Sequence, residues 1–247
     1  MRLDVFMSPG ELAPGDVQGH VVAVIDVLRA STSIAVALAN GARSVVPVGE
    51  VDEAITLSKN LERSHVRLAG ERKMLPIPGF DMGNSPLEFT ADAVSDCTVF
   101  ITTTNGTRAL LALPGARDIV VASYVNHSAV SAMLRAAARS NDISIVCAGT
   151  EGHFSLEDAA CAGRYVRSIT QPRSSLTVND AARACALIDG KYGDNIEEIF
   201  KDSWHGQALE EAGFGKDLVA CARVDSHSVV PIYQDRQITR LGPDRER

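Results

Sequence analysis

The sequence predicts an α/β fold built on a largely parallel sheet. Three observations carry that prediction. Apolar runs of strand length alternate with longer helical patterns along the chain. Runs such as VVAVI and ISIV are apolar nearly throughout rather than alternating, as in strands covered on both faces. Polar, hydroxylic and small residues gather where one run after another ends.

Taken in order, LDVF (3–6) reads as a strand, and VVAVI (21–25) as a strand leading into a helix over 32–39. SVVPV (44–48) is the third strand, followed by a helix over 51–63, and VRLA (66–69) is the fourth. The helix over 86–94 starts legibly: Ser85 is the cap, Pro86 takes the first helical position, and Glu88 lies three residues after the cap. TVFIT (98–102) precedes a helix over 107–113, and DIVVA (118–122) precedes one over 127–139. ISIVC (143–147) leads to a helix over 156–170, with Ser155 as cap and Asp158 at the third position after it. Helices over 178–187, 196–200, 204–212 and 216–222 follow, and VVPIY (229–233) closes the set. The 247 residues form either one domain or two α/β lobes, about 1–125 and 126–247, meeting near 123–127.

Composition narrows the function classes. The chain is 45% hydrophobic, 22% charged and 5% aromatic, which argues against disorder, collagen and coiled coil. A formal charge of −7 leaves no global basic field for nucleic acid or an anionic membrane. No run reaches the ~18 apolar residues of a membrane span. The opening MRLDVFMSPGEL lacks the apolar core of a signal peptide, so a cytoplasmic protein is expected. Cys97, Cys147, Cys161, Cys185 and Cys221 are odd in number and widely spaced, which speaks against a disulfide framework or a thiolate zinc site. The six histidines show no metal-binding spacing.

The strand ends carry the chemistry. VVAVI runs into Asp26, Arg29, Ser31 and Thr32, VRLA into Gly70, Glu71 and Arg72, and TVFI into Thr103, Thr104, Asn105 and Arg108. ISIVCA runs into Gly149, Glu151, His153, Glu157 and Asp158. Ligands bind outside the carboxyl ends of strands in open parallel sheets. Carboxylates there (Asp26, Glu71, Glu157, Asp158, with Asp81 and Glu151 as further candidates) suit Mg²⁺ or Mn²⁺. Arg29, Arg72 and Arg108 suit phosphate, carboxylate and sulfonate groups. A small polyanion bound through a metal, and phosphoryl chemistry upon it, follow from that inventory. The same residues also admit plain structural roles: Asp26 with Arg29 as a surface ion pair, Ser85 with Glu88 as a cap, Asp158 as a cap acid. His205 and Trp204 read as helix packing.

Familiar phosphate motifs do not fit. Neither G-x-x-x-x-G-K-[ST] nor a strand-borne G-x-G-x-x-G occurs. Cys161 and Arg167 have cysteine-phosphatase spacing, but they fall inside a predicted helix rather than an anion-binding loop. Asp26 suits a haloacid-dehalogenase nucleophile, but Leu28 stands where that motif needs a second Asp.

VIDVLRASTSI, the GER and GFD.GNSP block over 70–86, TTTNGTRAL and CAGTEGHFSLEDAACAG occur in one order, and together they resemble the 2-phosphosulfolactate phosphatase family. The resemblance covers about residues 21–163 and resumes more weakly at 203–209 and 229–233. It implies a three-layer α/β/α fold with a mostly parallel or mixed sheet and the site in a cleft. It also implies Mg²⁺-dependent hydrolysis of 2-phospho-3-sulfolactate to 3-sulfolactate and phosphate, a step of coenzyme M biosynthesis, and it fits a homodimer. On this expectation Asp26, Glu157 and Asp158, with Glu71, hold Mg²⁺. Arg29, Arg72 and Arg108 meet the anionic groups. Asn84, Ser85, Thr103, Thr104 and Asn105 orient oxygens, with Ser31, Thr32, Gly149 and His153 as further substrate contacts. Two alternatives stay open: Asp26 as a nucleophile forming an aspartyl-phosphate, and a non-catalytic binder of anionic metabolites.

Overall fold

A computed structural model of the chain describes residues 1–171 and 175–242. Among these, eleven strands form a single sheet. In chain order they are β1 (Arg2–Phe6), β2 (Val21–Ile25), β3 (Ser44–Pro47), β4 (Val66–Arg72), β5 (Leu75–Pro76), β6 (Thr98–Thr102), β7 (Asp118–Ala122), β8 (Ile143–Cys147), β9 (Thr177–Val178), β10 (Pro231–Gln234) and β11 (Gln237–Arg240). Their order across the sheet is β5-β4-β6-β3-β11-β10-β7-β2-β8-β1-β9. Strands β4, β6 and β3 form one parallel block, and β7, β2, β8, β1 and β9 another. The hairpin of β10 and β11 joins them through antiparallel pairings on both sides. The sheet is therefore mixed with most pairings parallel, as expected. Strands β8 to β11, which follow residue 125, are interleaved in it with strands that precede that residue.

Every residue of β2 is buried. Val21, Ala23 and Ile25 enter one hydrophobic core, Val22 and Val24 the other. That is the two-residue period of a strand with cover on both faces. The first core packs α5 (His127–Ala137), α6 (Leu156–Thr170), α7 (Asp180–Tyr192), α8 (Ile196–Asp202), α9 (Trp204–Glu211) and α10 (Gly215–Cys221). The second packs α1 (Ala30–Ala39), α3 (Ala91–Val94) and α4 (Gly106–Leu111). A smaller cluster of Val48, Ala54, Val66 and Phe100 lies under α2 (Val51–Ser58). This is a three-layer α/β arrangement. No helix among the described residues is long and apolar enough to cross a membrane.

Several predicted boundaries move, each for a local reason. The helix expected over 86–94 splits into a 3-10 turn at Pro86–Glu88 and the short α3, whose cap Thr90 accepts from the Ala93 N–H at 3.3 Å. The helix expected from 178 starts at Asp180, because Val178 pairs with Leu3 and Asn179 caps α7 through the Ala182 N–H at 2.8 Å. Strands β5, β9 and β11 carry no apolar run and were not expected. The strand expected over 229–233 begins at Pro231.

Candidate active site

Four strand ends meet at a cleft of about 290 Å³. Asp26 comes from the end of β2, Glu71 from β4, Thr104 and Asn105 from the loop after β6, and Thr150 and Glu151 from the loop after β8. Arg29, Lys73, Met74, Asn84, Trp204 and His205 complete its polar and aromatic lining. The expected convergence occurs, with two ends from each parallel block.

The turn from β2 into α1 is held from within. Ser31 Oγ accepts from the Asp26 N–H at 2.9 Å, and Thr32 Oγ1 donates to the Val27 carbonyl at 2.9 Å. Both hydroxyls shape the turn, outside the cleft lining. Arg29 sits in that turn with φ 108° and is 2% exposed. Its guanidinium lies 4.9 Å from the centre of the Phe214 ring, and Nη1 donates to the Met74 carbonyl at 3.1 Å. Glu71 ties two loops to the floor, accepting from Thr104 N–H at 2.8 Å and Met74 N–H at 2.9 Å.

Asp158 was expected to cap its own helix or hold a metal. Its carboxyl oxygens accept from the Val27 N–H at 2.8 Å and the Gly149 N–H at 3.0 Å, tying together the loops after β2 and β8 rather than capping the helix. Ser155 makes no side-chain cap. Glu157 is buried beside it; Oε1 lies 3.2 Å from His205 Nδ1, while Oε2 has no partner. Asn84 Oδ1 and Thr104 Oγ1 are likewise buried without partners. Buried polar atoms without partners are rare enough to mark places where a ligand completes the bonding.

Other expected residues stand elsewhere. Arg72 follows Glu71 in β4, so strand alternation turns it to the opposite face, where it donates to Thr102 Oγ1 at 3.0 Å and to the Gly49 carbonyl. Arg108 is exposed on α4, away from the cleft lining. Thr103 bonds Thr107 within the start of α4, and Ser85 donates to Asp217 Oδ1 at 2.6 Å. Gly149, at φ 66°, lets the His153 carbonyl approach where a Cβ would stand 2.1 Å away; the His153 side chain is exposed beyond the cleft lining. Asp81 pairs with Arg63 and accepts from the Leu68 N–H.

Sequence reasoning missed His205 and Trp204, which are cleft residues as well as helix residues, and Lys73 with Met74. The available signal was the weak return of the resemblance at 203–209. The Ser203 cap on the Gly206 N–H at 3.0 Å orients the start of α9 so that both face the site.

The cleft's electrostatics follow from burial. Asp26 is pushed up to about 7, first by burial; Glu71 and Glu157 add to the rise, and His205 and Arg29 oppose it. Asp158 is raised well above the usual carboxylate range by burial, with Asp26 and Glu157 adding to it. Burial would lower His205, but the hydrogen bond and charge of Glu157, with the charge of Asp26, raise it overall. Carboxyls crowded in this way favour a cation among them.

Among the described residues no group of three or more His, Cys, Asp or Glu side chains forms a ready-made metal cluster. Glu71 and Asp158 direct both oxygens to backbone N–H groups. The uncommitted oxygens are those of Asp26 and Glu157 Oε2. Two carboxylates with substrate phosphate and water are a donor set that Mg²⁺ accepts. The residues fit that ion on those terms.

The 2-phosphosulpholactate phosphatase family model matches residues 6–236. A Caldanaerobacter subterraneus subsp. tengcongensis protein named probable 2-phosphosulfolactate phosphatase is 41% identical over 94% of this chain and 95% of its own. Proteins of the same name from Symbiobacterium thermophilum and Clostridium acetobutylicum are 38% and 37% identical, covering 92% and 96% of this chain and 96% and 100% of theirs.

Proposed function

The chain belongs to the 2-phosphosulpholactate phosphatase family, and on that premise we propose that it is a Mg²⁺-dependent phosphatase releasing phosphate from 2-phospho-3-sulfolactate. The observation that carries this reading is the buried Asp26 carboxyl, raised to about 7, in one cleft with the buried Arg29 and His205; Glu157, just behind His205, adds to that rise and keeps Oε2 unpartnered.

Asp26 and Glu157 would hold the ion, which when bound would supply neutralising charge for the phosphoryl group. Arg29 takes up the remaining phosphoryl charge, as a guanidinium held from behind by Phe214 and Met74 does without reorganising. Asn84 and Thr104 offer their free polar atoms to orient the ester. His205 keeps its proton to higher pH than an ordinary histidine; it would protonate the leaving alkoxide as water attacks phosphorus, and take back the proton that the water gives up. Phosphate-ester hydrolysis is slow enough uncatalysed that positioning and charge neutralisation supply most of the acceleration.

The test is phosphate release from phosphosulfolactate, phospholactate and phosphoglycerate, with and without Mg²⁺. Turnover should be highest on phosphosulfolactate and vanish with EDTA. Full activity in metal-free protein overturns the metal's role, and a trapped phosphoryl group on Asp26 replaces direct water attack by double displacement. Sedimentation is expected to show a homodimer and cell fractionation a cytoplasmic protein, as the resemblance and the composition led us to expect.

A further inference from the structure

With Arg72 and Arg108 outside the cleft lining, the cations left in it are Arg29, His205 and Lys73. Lys73 occupies an unusual place. Arg72 pairs with Leu75 across the β4–β5 hairpin, so Lys73 and Met74 form a two-residue turn. Both have left-handed backbones, φ 52° and 69°. A turn of this hand normally takes Asn-Gly, because L side chains adopt that region at a cost. Here the site enforces it: the Met74 N–H donates to Glu71 Oε2 at 2.9 Å, and the Met74 carbonyl accepts from Arg29 Nη1 at 3.1 Å. The two residues that fix the turn are thus two charged residues of the cleft.

The consequence falls on Lys73. It is exposed at the cleft's edge, with no hydrogen bond or ion pair among the described residues. Strain kept at a ligand site, by bonds to that site, points to function. The geometry points to Lys73 as a specificity residue: its ammonium binds the sulfonate of the ester while Arg29, deeper in the cleft, faces the phosphate. A compact ammonium suits a tripod of sulfonate oxygens, whereas the planar carboxylate matches an arginine fork. This inference rests on the function proposed above. It narrows the substrate class to small phosphate esters bearing a second, permanently charged anion.

The test compares Lys73→Ala, Lys73→Asn and Lys73→Arg with the wild type on phosphosulfolactate and on phospholactate, which lacks the sulfonate. Asn tolerates the left-handed turn, so Lys73→Asn removes the charge without added backbone strain. For Ala and Asn, KM for phosphosulfolactate should rise about tenfold or more, the scale of one charge-assisted contact. Their kcat should stay within about twofold, as for a contact made equally in ground and transition states. Phospholactate kinetics should not change, and Lys73→Arg, which keeps the charge but not the compact ammonium, should recover only part of the loss. Equal effects on both esters, or none, overturn the assignment. Calorimetric binding of 3-sulfolactate against lactate decides separately: the wild type should prefer the sulfonate, and Lys73→Asn should lose that preference. If the wild type hydrolyses neither ester, the parent reading fails, while the binding preference still accepts or rejects Lys73 as the sulfonate contact.

Discussion

Nδ1 of His205 lies 3.2 Å from Oε1 of Glu157, joining α9 to α6 across the back of the cleft. The Glu157 side chain is 2% exposed and the His205 side chain 14%. The pair leaves Glu157 Oε2 free and strengthens the hold of the His205 ring, in the cleft with Asp26, on its proton. His205→Ala should therefore lower kcat by about 10²–10⁴, the range for a lost general acid. The check is steady-state phosphate release, with folding followed by circular dichroism. Wild-type turnover in a folded variant would return His205 to simple helix packing.

Asp26 should show opposite effects on activity and stability. Its folded-state value of about 7 stands above the ordinary 3.8, so between those pH values the folded chain holds a proton that the unfolded chain releases. In metal-free protein this group's contribution to stability falls as pH rises from about 4 to about 7 and is flat above that. Asp26→Asn removes the slope. The variant should be inactive yet more stable than the metal-free wild type at pH 8, by up to a few kcal/mol. Denaturant melts at pH 5 and pH 8 measure it; an equal difference at both would show that the carboxyl is not strained by burial.

The three arginines should separate. Arg29→Ala should cost about 10²–10³ in kcat/KM on every ester, because the phosphoryl charge is met in the transition state. Arg108→Ala should leave both activity and stability near wild type, since its side chain is exposed outside the cleft lining. Arg72→Ala should destabilise by about 1–3 kcal/mol through the loss of its bonds to Thr102 and Gly49, while the folded fraction keeps its kcat. Parallel kcat/KM and melting series on the three variants would expose any exchange of these roles.

These contrasts show what the sequence makes legible. Asp26, Glu71, Thr104 and Asn105 could be found because a strand's end can be read from its apolar run, and polar residues just beyond it mark a rim. Arg72 could not be separated from Glu71 by that reasoning, because the two-residue period places neighbours on opposite faces and the register is set by pairing with β6. Asp158 was visible as an acid near a helix start. Its bonds to Val27 and Gly149 cross between segments, and no local pattern encodes them. His205 was hidden for a similar reason: its place depends on how α9 packs over strands far away in the chain. Strand β10 was legible in VVPIY, but its hairpin partner β11 escaped because QITR alternates polar and apolar residues too briefly to stand out.

Gly106 gives the last prediction, because it shows how tightly the chain is built around Asp26. It opens α4, and a Cβ there would stand 2.6 Å from the Ala30 Cβ and 2.8 Å from Asp26 Oδ2. Ala30 is packed at the start of α1, and the Asp26 backbone is bonded to Ser31 Oγ with the Asp26 Cβ only 3.4 Å from the added one, so what must give is the Asp26 carboxyl itself. Gly106→Ala should therefore cost about 1–3 kcal/mol of stability, as overpacking does, and should displace the carboxylate enough to lower activity further than the folded fraction explains. Gly190→Ala is the matching control. Gly190 lies within α7, exposed, with nothing within 4 Å of an added Cβ. The same methyl should there stabilise by about 0.5–1 kcal/mol through helix propensity and leave kcat unchanged. Chemical denaturation and phosphate release on both variants test the pair. If Gly106→Ala keeps wild-type turnover, Asp26 has room to move, and the fixed position assigned to it is wrong.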